Sequence, residues 1–243
     1  MIIFTFDQDW APGWATLRAA KKVLDAGLEL TLFVTHQCAS LEALRSRRGV
    51  ELGLHPNFMA GSTQGIGPEE IMDNLRSIVP EAVGVRAHGL VRSTRLWELY
   101  HRLGLRYDSS DLLEGHPNLR PVTAWNGLVR MPIYWEDDVH LLHDRRCVLD
   151  ELAPETSGMK CLDFHPLLVA LNSCDLQGYR ALVKKLAGES RPLHEATEEE
   201  VSAFAQTDAR GVADLLDDVI EWVDSHPSQR GGALGEVLCG KDA

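Results

Sequence analysis

The chain has 243 residues, 44% of them hydrophobic, enough for one sizeable core; its formal net charge of -12 excludes a long anionic nucleic acid as partner. Five cysteines (Cys38, Cys147, Cys161, Cys174, Cys239) show neither a C-x-x-C spacing nor an even disulfide framework, which excludes a zinc finger and points to free thiols in a reducing compartment. No run approaches the length of a transmembrane helix, and the N-terminus enters a strand without a basic, cleavable leader, so a cytoplasmic protein with no integral membrane segment is expected.

In chain order, the apolar run 2–6 predicts a buried strand, and Thr5-Phe6-Asp7-Gln8-Asp9-Trp10 puts two carboxylates at its end. Leu17, Ala20 and Leu24 give helical spacing over 13–26, with Gly27 as its C-cap. A second strand is predicted over 30–35, a short helix over 40–48, and a third strand over 50–54 that ends at His55-Pro56-Asn57. A polar, Gly-rich loop, 61–67, precedes a helix over 68–79 with Pro68, Glu69 and Glu70 in its first turn. A fourth strand, 82–85, ends at Arg86-Ala87-His88; a helix over 94–103 and a fifth strand over 105–108 follow.

From 111 to about 145 the pattern loosens, with short strands expected around Val122 and over 128–132. A late strand, 161–164, ends at His165-Pro166, and helices are predicted over 176–186, 198–204 and 212–223. The tail from about Ser228, with Gly231, Gly232 and Gly235, is expected to fray. No repeat or linker divides the chain, so 1–243 reads as a single domain.

Repeated β-then-α with short connections predicts a parallel sheet or barrel. Asp7, Asp9, His55, Arg86, His88, Asp108 and His165 all fall at predicted strand ends. A parallel arrangement gathers them at one mouth, where α/β enzymes build their chemistry. A D-x-D there can hold a metal with one carboxylate and take a proton from water with the other. The competing readings are a solvated acidic turn, an N-cap at Asp9 for the helix near Pro12 or Gly13, and a satisfied core histidine at His55.

In this order and at these strand ends, the motifs resemble the polysaccharide-deacetylase superfamily, the NodB-homology carbohydrate esterases, over 1 to about 170, and within it the WbmS-like branch of O-antigen and lipopolysaccharide loci. The resemblance implies a distorted (β/α) barrel, open at one side. Thr5-Phe6-Asp7-Gln8-Asp9 would supply Asp7 as base and Asp9 as metal ligand. His55-Pro56-Asn57-Phe58-Met59 keeps one histidine of the usual pair; Met59 stands where the second belongs, and a thioether suits a hard or borderline divalent ion poorly. His88, Asn57 or a water would complete the metal. Arg86 would tether Asp7, and Tyr107-Asp108-Ser109-Ser110 resembles the D-S-S that follows it in many members. In 132–138, Trp135 and Asp138 would form one wall of the groove, with Asn57 also contacting substrate. Leu162-Asp163-Phe164-His165-Pro166 would carry the general acid, His165, its pKa raised by Asp137 or Asp138.

The implied activity is metal-dependent removal of an N-acyl group, acetyl by default, from an amino sugar in surface-polysaccharide (O-antigen or lipopolysaccharide) biosynthesis. The mixed Asp/His ligands favour zinc. With no export signal in view, the expected partner is a nucleotide-linked or lipid-linked N-acylated saccharide. The alternatives are a decayed, carbohydrate-binding or scaffolding relative, signalled by Met59, or another hydrolase such as a sugar deformylase. Phosphoester hydrolysis ranks lower, because Arg86 is the only obvious strand-end cation. Trp10, Trp125 and Trp135 are candidates for a sugar-stacking wall. His36, His101, His116, His140, His143, His194 and His226 read as structural or solvated.

Overall fold

The computed structural model describes residues 1–239, apart from the Cys239 side chain. Its strands are β1 (Ile2–Asp7), β2 (Leu30–Val34), β3 (Val50–Leu54), β4 (Gly84–Val85), β5 (Tyr107–Asp108), β6 (Val122–Thr123), β7 (Val129–Arg130), β8 (Ile133–Glu136) and β9 (Lys160–Phe164). They form one sheet in the order β6-β7-β5-β4-β3-β2-β1-β9-β8, parallel throughout except for the β6–β7 hairpin. The sheet curls into a distorted barrel because the chain just after β5 reaches the far edge. There Ile133 N donates to Asp111 O (2.7 Å), Leu113 N to Ile133 O (2.9 Å) and Gly115 N to Tyr134 O (3.1 Å).

Strand alternation sorts the side chains into two cores. Ile2, Phe4 and Phe6 of β1 face outward, with Leu52 and Leu54 of β3 and Leu162 and Phe164 of β9, and pack under the helices. These include α1 (Gly13–Asp25), α2 (Ala39–Arg45), α3 (Pro68–Ile78), α4 (Thr94–Arg102) and α9 (Val212–Ser225). Ile3, Phe33, Tyr107 and Cys161 face inward and fill the barrel. Small residues make that filling possible: a Cβ on Gly84 would stand 1.9 Å from the Tyr107 ring, and one on Gly53 would stand 2.6 Å from Phe33.

The same inward phase, continued to the strand ends, sets the site. Ile3-Thr5-Asp7, Gly53-His55, Gly84-Arg86 and Cys161-Asp163-His165 are successive inward positions. Asp108 pairs in register with outward Val85 and bonds Trp97 Nε1 and Ser110, so it stands apart from the mouth.

The region after 111 departs most from expectation. The stretch 133–136 is a full strand beside β9, followed at once by α5 (Asp137–Leu142); α6 (Pro166–Ala170) likewise follows β9 directly. Each helix is too short for its period to show in the sequence. Farther on, α7 (Gln177–Gly188), α8 (Glu198–Ser202) and α9 fall where helices were expected. The tail expected to fray from about 228 is instead docked as far as residue 239. Gly231 N donates to Ile2 O (2.9 Å), and α10 (Leu234–Cys239) buries Leu234 and Leu238 in the interior core. The backbone N–H groups of Leu234 and Gly235 donate to Thr31 Oγ1 (2.9 Å) and Glu51 Oε2 (2.7 Å) at the N-terminal end of the strands.

Candidate active site

At the C-terminal mouth, the turn after β1 carries Asp9 and Trp10 in left-handed backbone, φ 42° and 54°, a costly conformation for residues with a Cβ. Gln8, just before them, is buried and holds the turn. Its Oε1 accepts from the backbone N–H of Thr35 (2.9 Å) and of His36 (3.2 Å), tying the β1 and β2 ends together. The turn aims the Asp9 carboxylate at three imidazoles. Oδ1 lies 2.9 Å from His55 Nε2 and 2.9 Å from His88 Nδ1; Oδ2 lies 3.4 Å from His165 Nε2.

One ligand atom each from Asp9, His55 and His88 lies within 4.8 Å of the others, so these three could hold a metal ion. The donor set suits one. His55 is 1% exposed, yet neither of its ring nitrogens makes a hydrogen bond of acceptable geometry. Leaving both unsatisfied is costly unless another group supplies the contact, and a cation facing Nε2 would do so. Asp plus two His is also a composition that zinc accepts. Enclosure would raise the Asp9 pKa, but the nearby imidazoles of His165, His55 and His88 outweigh it and hold the carboxyl well below its usual range. Burial lowers the His88 pKa; Asp9 more than compensates and leaves it raised.

Asp7 lies below this group. Its Oδ1 accepts from Arg86 Nη1 (3.0 Å), and Oδ2 is 3.6 Å from His55 Nε2. Arg86 is fully buried and spreads its donors widely: Nη1 also serves Thr5 Oγ1 (2.9 Å) and Asp163, Nε bonds Ser109 O (3.1 Å), and Nη2 bonds Ser109 Oγ (2.9 Å). Burial opposes its charge, but Asp163 and Asp7 raise its pKa.

His165 ends β9. Asp137, the first residue of α5, accepts from both the His165 backbone N–H (2.8 Å) and Nδ1 (2.6 Å). Burial by itself would lower the His165 pKa; Asp137 and Asp138 outweigh it and raise it well above the usual histidine range. Asp138 lines a small cavity beside His165.

A larger cavity of about 610 Å³ opens on the other side of Asp9, where Trp10, Asn57, Gln64, His88 and Tyr179 contribute to its wall. Gln64 comes from the Gly-rich loop and closes its floor, donating from Nε2 to Thr35 O (2.9 Å) and His55 O (3.1 Å).

The structure thus brings Asp7, Asp9, His55, Arg86, His88 and His165 together, with Asn57 and Asp138 on adjoining walls. It does not bring Trp135. That ring is 2% exposed, packs on Phe164 at 5.0 Å and donates from Nε1 to His140 Nδ1 (3.0 Å). The cause is register: Trp135 pairs with outward Leu162, whereas Glu136 pairs with inward Asp163. Trp125 is 66% exposed in the β6–β7 turn and lines neither cavity; Trp10 does line the larger one.

Sequence reasoning missed four residues here. Asp163 and Glu136 form a buried group with Asp7 and His165, and only strand alternation from Cys161 could have flagged Asp163. Burial, reinforced by Asp138, raises Glu136 to about 8. His36 and His194, read as structural or solvated, line the larger cavity with ring centroids 5.0 Å apart; burial and His194 lower His36 to about 4.

The family model of WbmS-like polysaccharide deacetylases matches residues 4–183. The chain belongs to this family. Among solved structures it is similar to the Bordetella bronchiseptica protein WbmS, assigned as a polysaccharide deacetylase involved in O-antigen biosynthesis. The two share 30% identity with a TM-score of 0.79, over 91% of this chain and 90% of that one. A Mycobacterium smegmatis protein assigned as a polysaccharide deacetylase aligns at 18% identity and a TM-score of 0.47, over 93% of this chain and 90% of that one. No curated protein matches the chain. Among the described residues, no helix of this deacetylase-family member is long and apolar enough to cross a membrane.

Proposed function

We propose that the chain is a zinc-dependent hydrolase that removes an N-acyl group from an amino sugar, in the cytoplasm, on a nucleotide- or lipid-linked saccharide destined for surface polysaccharide. The observation that carries this reading is the convergence, on one carboxylate, of His55 and His88 from one side and His165 from the other. Asp9, His55 and His88 would hold the ion. Once bound, a divalent ion would polarise the amide carbonyl and make a water acidic enough to be deprotonated near neutral pH.

The remaining chemistry falls to the protein. Asp7, fixed through Oδ1 by Arg86, keeps Oδ2 free to take the proton of the attacking water. His165, held as a donor by Asp137, gives its Nε2 proton to the departing nitrogen, so an amine leaves rather than an amide anion. The saccharide lies in the larger cavity, where Asn57 and Trp10 offer hydrogen bonds and a ring face. The role assigned to the Bordetella WbmS supports a place in O-antigen biosynthesis.

The test is release of free amine and carboxylate from N-acetylglucosamine-containing oligosaccharides and from the UDP-linked sugar, with zinc restored and with zinc chelated. Hydrolysis that needs the metal is expected. Saccharide binding without hydrolysis under zinc, cobalt or nickel would instead indicate a non-catalytic relative.

A further inference from the structure

Glu136 of β8 pairs in register with Asp163 of β9, so their carboxyls leave neighbouring strands on the same, inward face. Both are buried. Asp163 Oδ1 accepts from Arg86 Nη1 and lies 2.9 Å from Thr5 Oγ1, but its Oδ2 has no hydrogen-bond partner, and neither has Glu136 Oε2. An oxygen of each lies within 4.8 Å of the other and of one polar atom each from Asp7 and His165. Neither carboxyl has a part in the attack on the amide or in the departure of the amine.

Charge decides how this pair is filled. The carboxyls of Asp7, Glu136, Asp137 and Asp163 are buried here, and the buried cations that face them are Arg86 and His165. Asp138 of α5 adds a further negative charge beside Glu136. With Glu136 and Asp163 both ionised, like charges would stand together away from water, each with an oxygen that no donor reaches; retaining a proton costs less. One proton removes both defects, because an O–H on Glu136 is a donor and Asp163 Oδ2 an acceptor. Burial pushes Glu136 up to about 8 and raises Asp163 as well, in spite of Arg86. A metal ion on the same residues would have to share Asp7 and Asp163 with the Arg86 guanidinium, so the cation that the orphaned oxygens call for is a proton.

We propose that Glu136 and Asp163 share one proton as a buried carboxyl–carboxylate pair, and that the pair positions Arg86 for Asp7. Arg86 Nη1 serves Asp7 Oδ1 and Asp163 together. While Glu136 donates to Oδ2, the pair carries one charge and leaves the guanidinium committed to Asp7. Loss of the proton adds a second charge, which draws Arg86 toward Asp163. The positioning role rests on the reading of Asp7 as the base of a deacylase; the shared proton does not.

The experiment uses zinc-restored wild type, Glu136→Gln, Glu136→Leu and Asp163→Asn, by infrared spectroscopy in D2O and by hydrolysis of N-acetylglucosamine oligosaccharides across pH. At about pH 6, the spectrum of wild type minus Glu136→Gln should show the carbonyl band of a protonated carboxyl. Asp163→Asn should lose that band, because its amide donates to Glu136 and lets it ionise. Absence of a Glu136-dependent band overturns the proposal, as does a band that persists unchanged in Asp163→Asn. Should Asp163→Asn not fold, the wild-type frequency decides: a carboxyl that donates to a carboxylate absorbs below an isolated one, and the isolated position overturns sharing. In hydrolysis, Glu136→Leu, which has no donor, should lower kcat about tenfold with KM unchanged. Glu136→Gln, whose amide donates without titrating, should restore the rate and hold it to higher pH than wild type, whose shared proton is lost above about 8. Equal losses in the two variants, or an alkaline limb identical in Glu136→Gln and wild type, overturn the positioning role. If nothing is hydrolysed, the deacylase reading fails, and the infrared bands decide the shared proton alone.

Discussion

His88 faces Asp9, its Nδ1 2.9 Å from Oδ1, while the Met59 side chain stands 44% exposed to solvent. The imidazole comes from the loop after β4, two residues beyond Arg86, and its backbone N–H donates to Pro56 O (2.9 Å) beside His55. A histidine thus reaches Asp9 from the neighbouring strand, whereas position 59 carries an exposed methionine.

Metal content should report this directly. Purified, zinc-supplemented wild type is expected to hold about one zinc per chain by mass spectrometry, in keeping with one Asp/His/His set. Asp9→Ala, His55→Ala and His88→Ala should each lose it, whereas Met59→Gln should retain it. Retention by His88→Ala would shift the third ligand to Asn57 or water.

Arg86 is the counter-charge for two buried carboxylates, Asp7 and Asp163. Removing one member of such a group strands the others, at a cost of about 3–5 kcal/mol. Arg86→Met should therefore lower urea stability by that order as well as abolish hydrolysis. A loss below about 1 kcal/mol would mean that the carboxylates are compensated elsewhere.

Glu136 gives stability a pH dependence with a definite sign. Burial raises it from 4.5 to about 8, so between those values the folded chain keeps a proton that the unfolded chain has released. The contribution is full below pH 4.5 and is lost as pH climbs through 8, with a slope of about 1.4 kcal/mol per pH unit for one proton. In chelator-treated protein, Glu136→Gln should flatten urea stability between pH 5 and about 8. An unchanged slope would place the titration on another group.

The burial of Trp135 separates packing from substrate contact. Trp135→Phe removes the bond to His140, worth about 1 kcal/mol, and leaves Nδ1 of that ring without its donor. Denaturation should register the loss while KM stays within about twofold of wild type. A several-fold rise in KM at unchanged stability would put the ring back in the groove.

Much of this site is legible in the chain because strand alternation is local. Asp7, His55, Arg86 and His165 each continue an inward series that begins inside its own strand, and apolar runs locate those strands without any knowledge of their neighbours. The elements from 111 to 145 escape because β8 has no isolated hydrophobic period; it is a strand through its pairing with β9. For the same reason, the inward positions of Glu136 and Asp163 and the outward position of Trp135 follow from register.

By itself, then, the sequence determined the parallel β/α order and the titratable residues at the strand ends, features written in spacing along the chain. The tertiary structure decided that His88 faces Asp9 while Met59 stands exposed, that Asp137 is the carboxylate bonded to His165, and that the glycine-bearing tail is docked under the barrel as far as residue 239. Those outcomes depend on which segments become neighbours across the curled sheet. Contacts between residues so far apart in the chain leave no period in it for a local pattern to reveal.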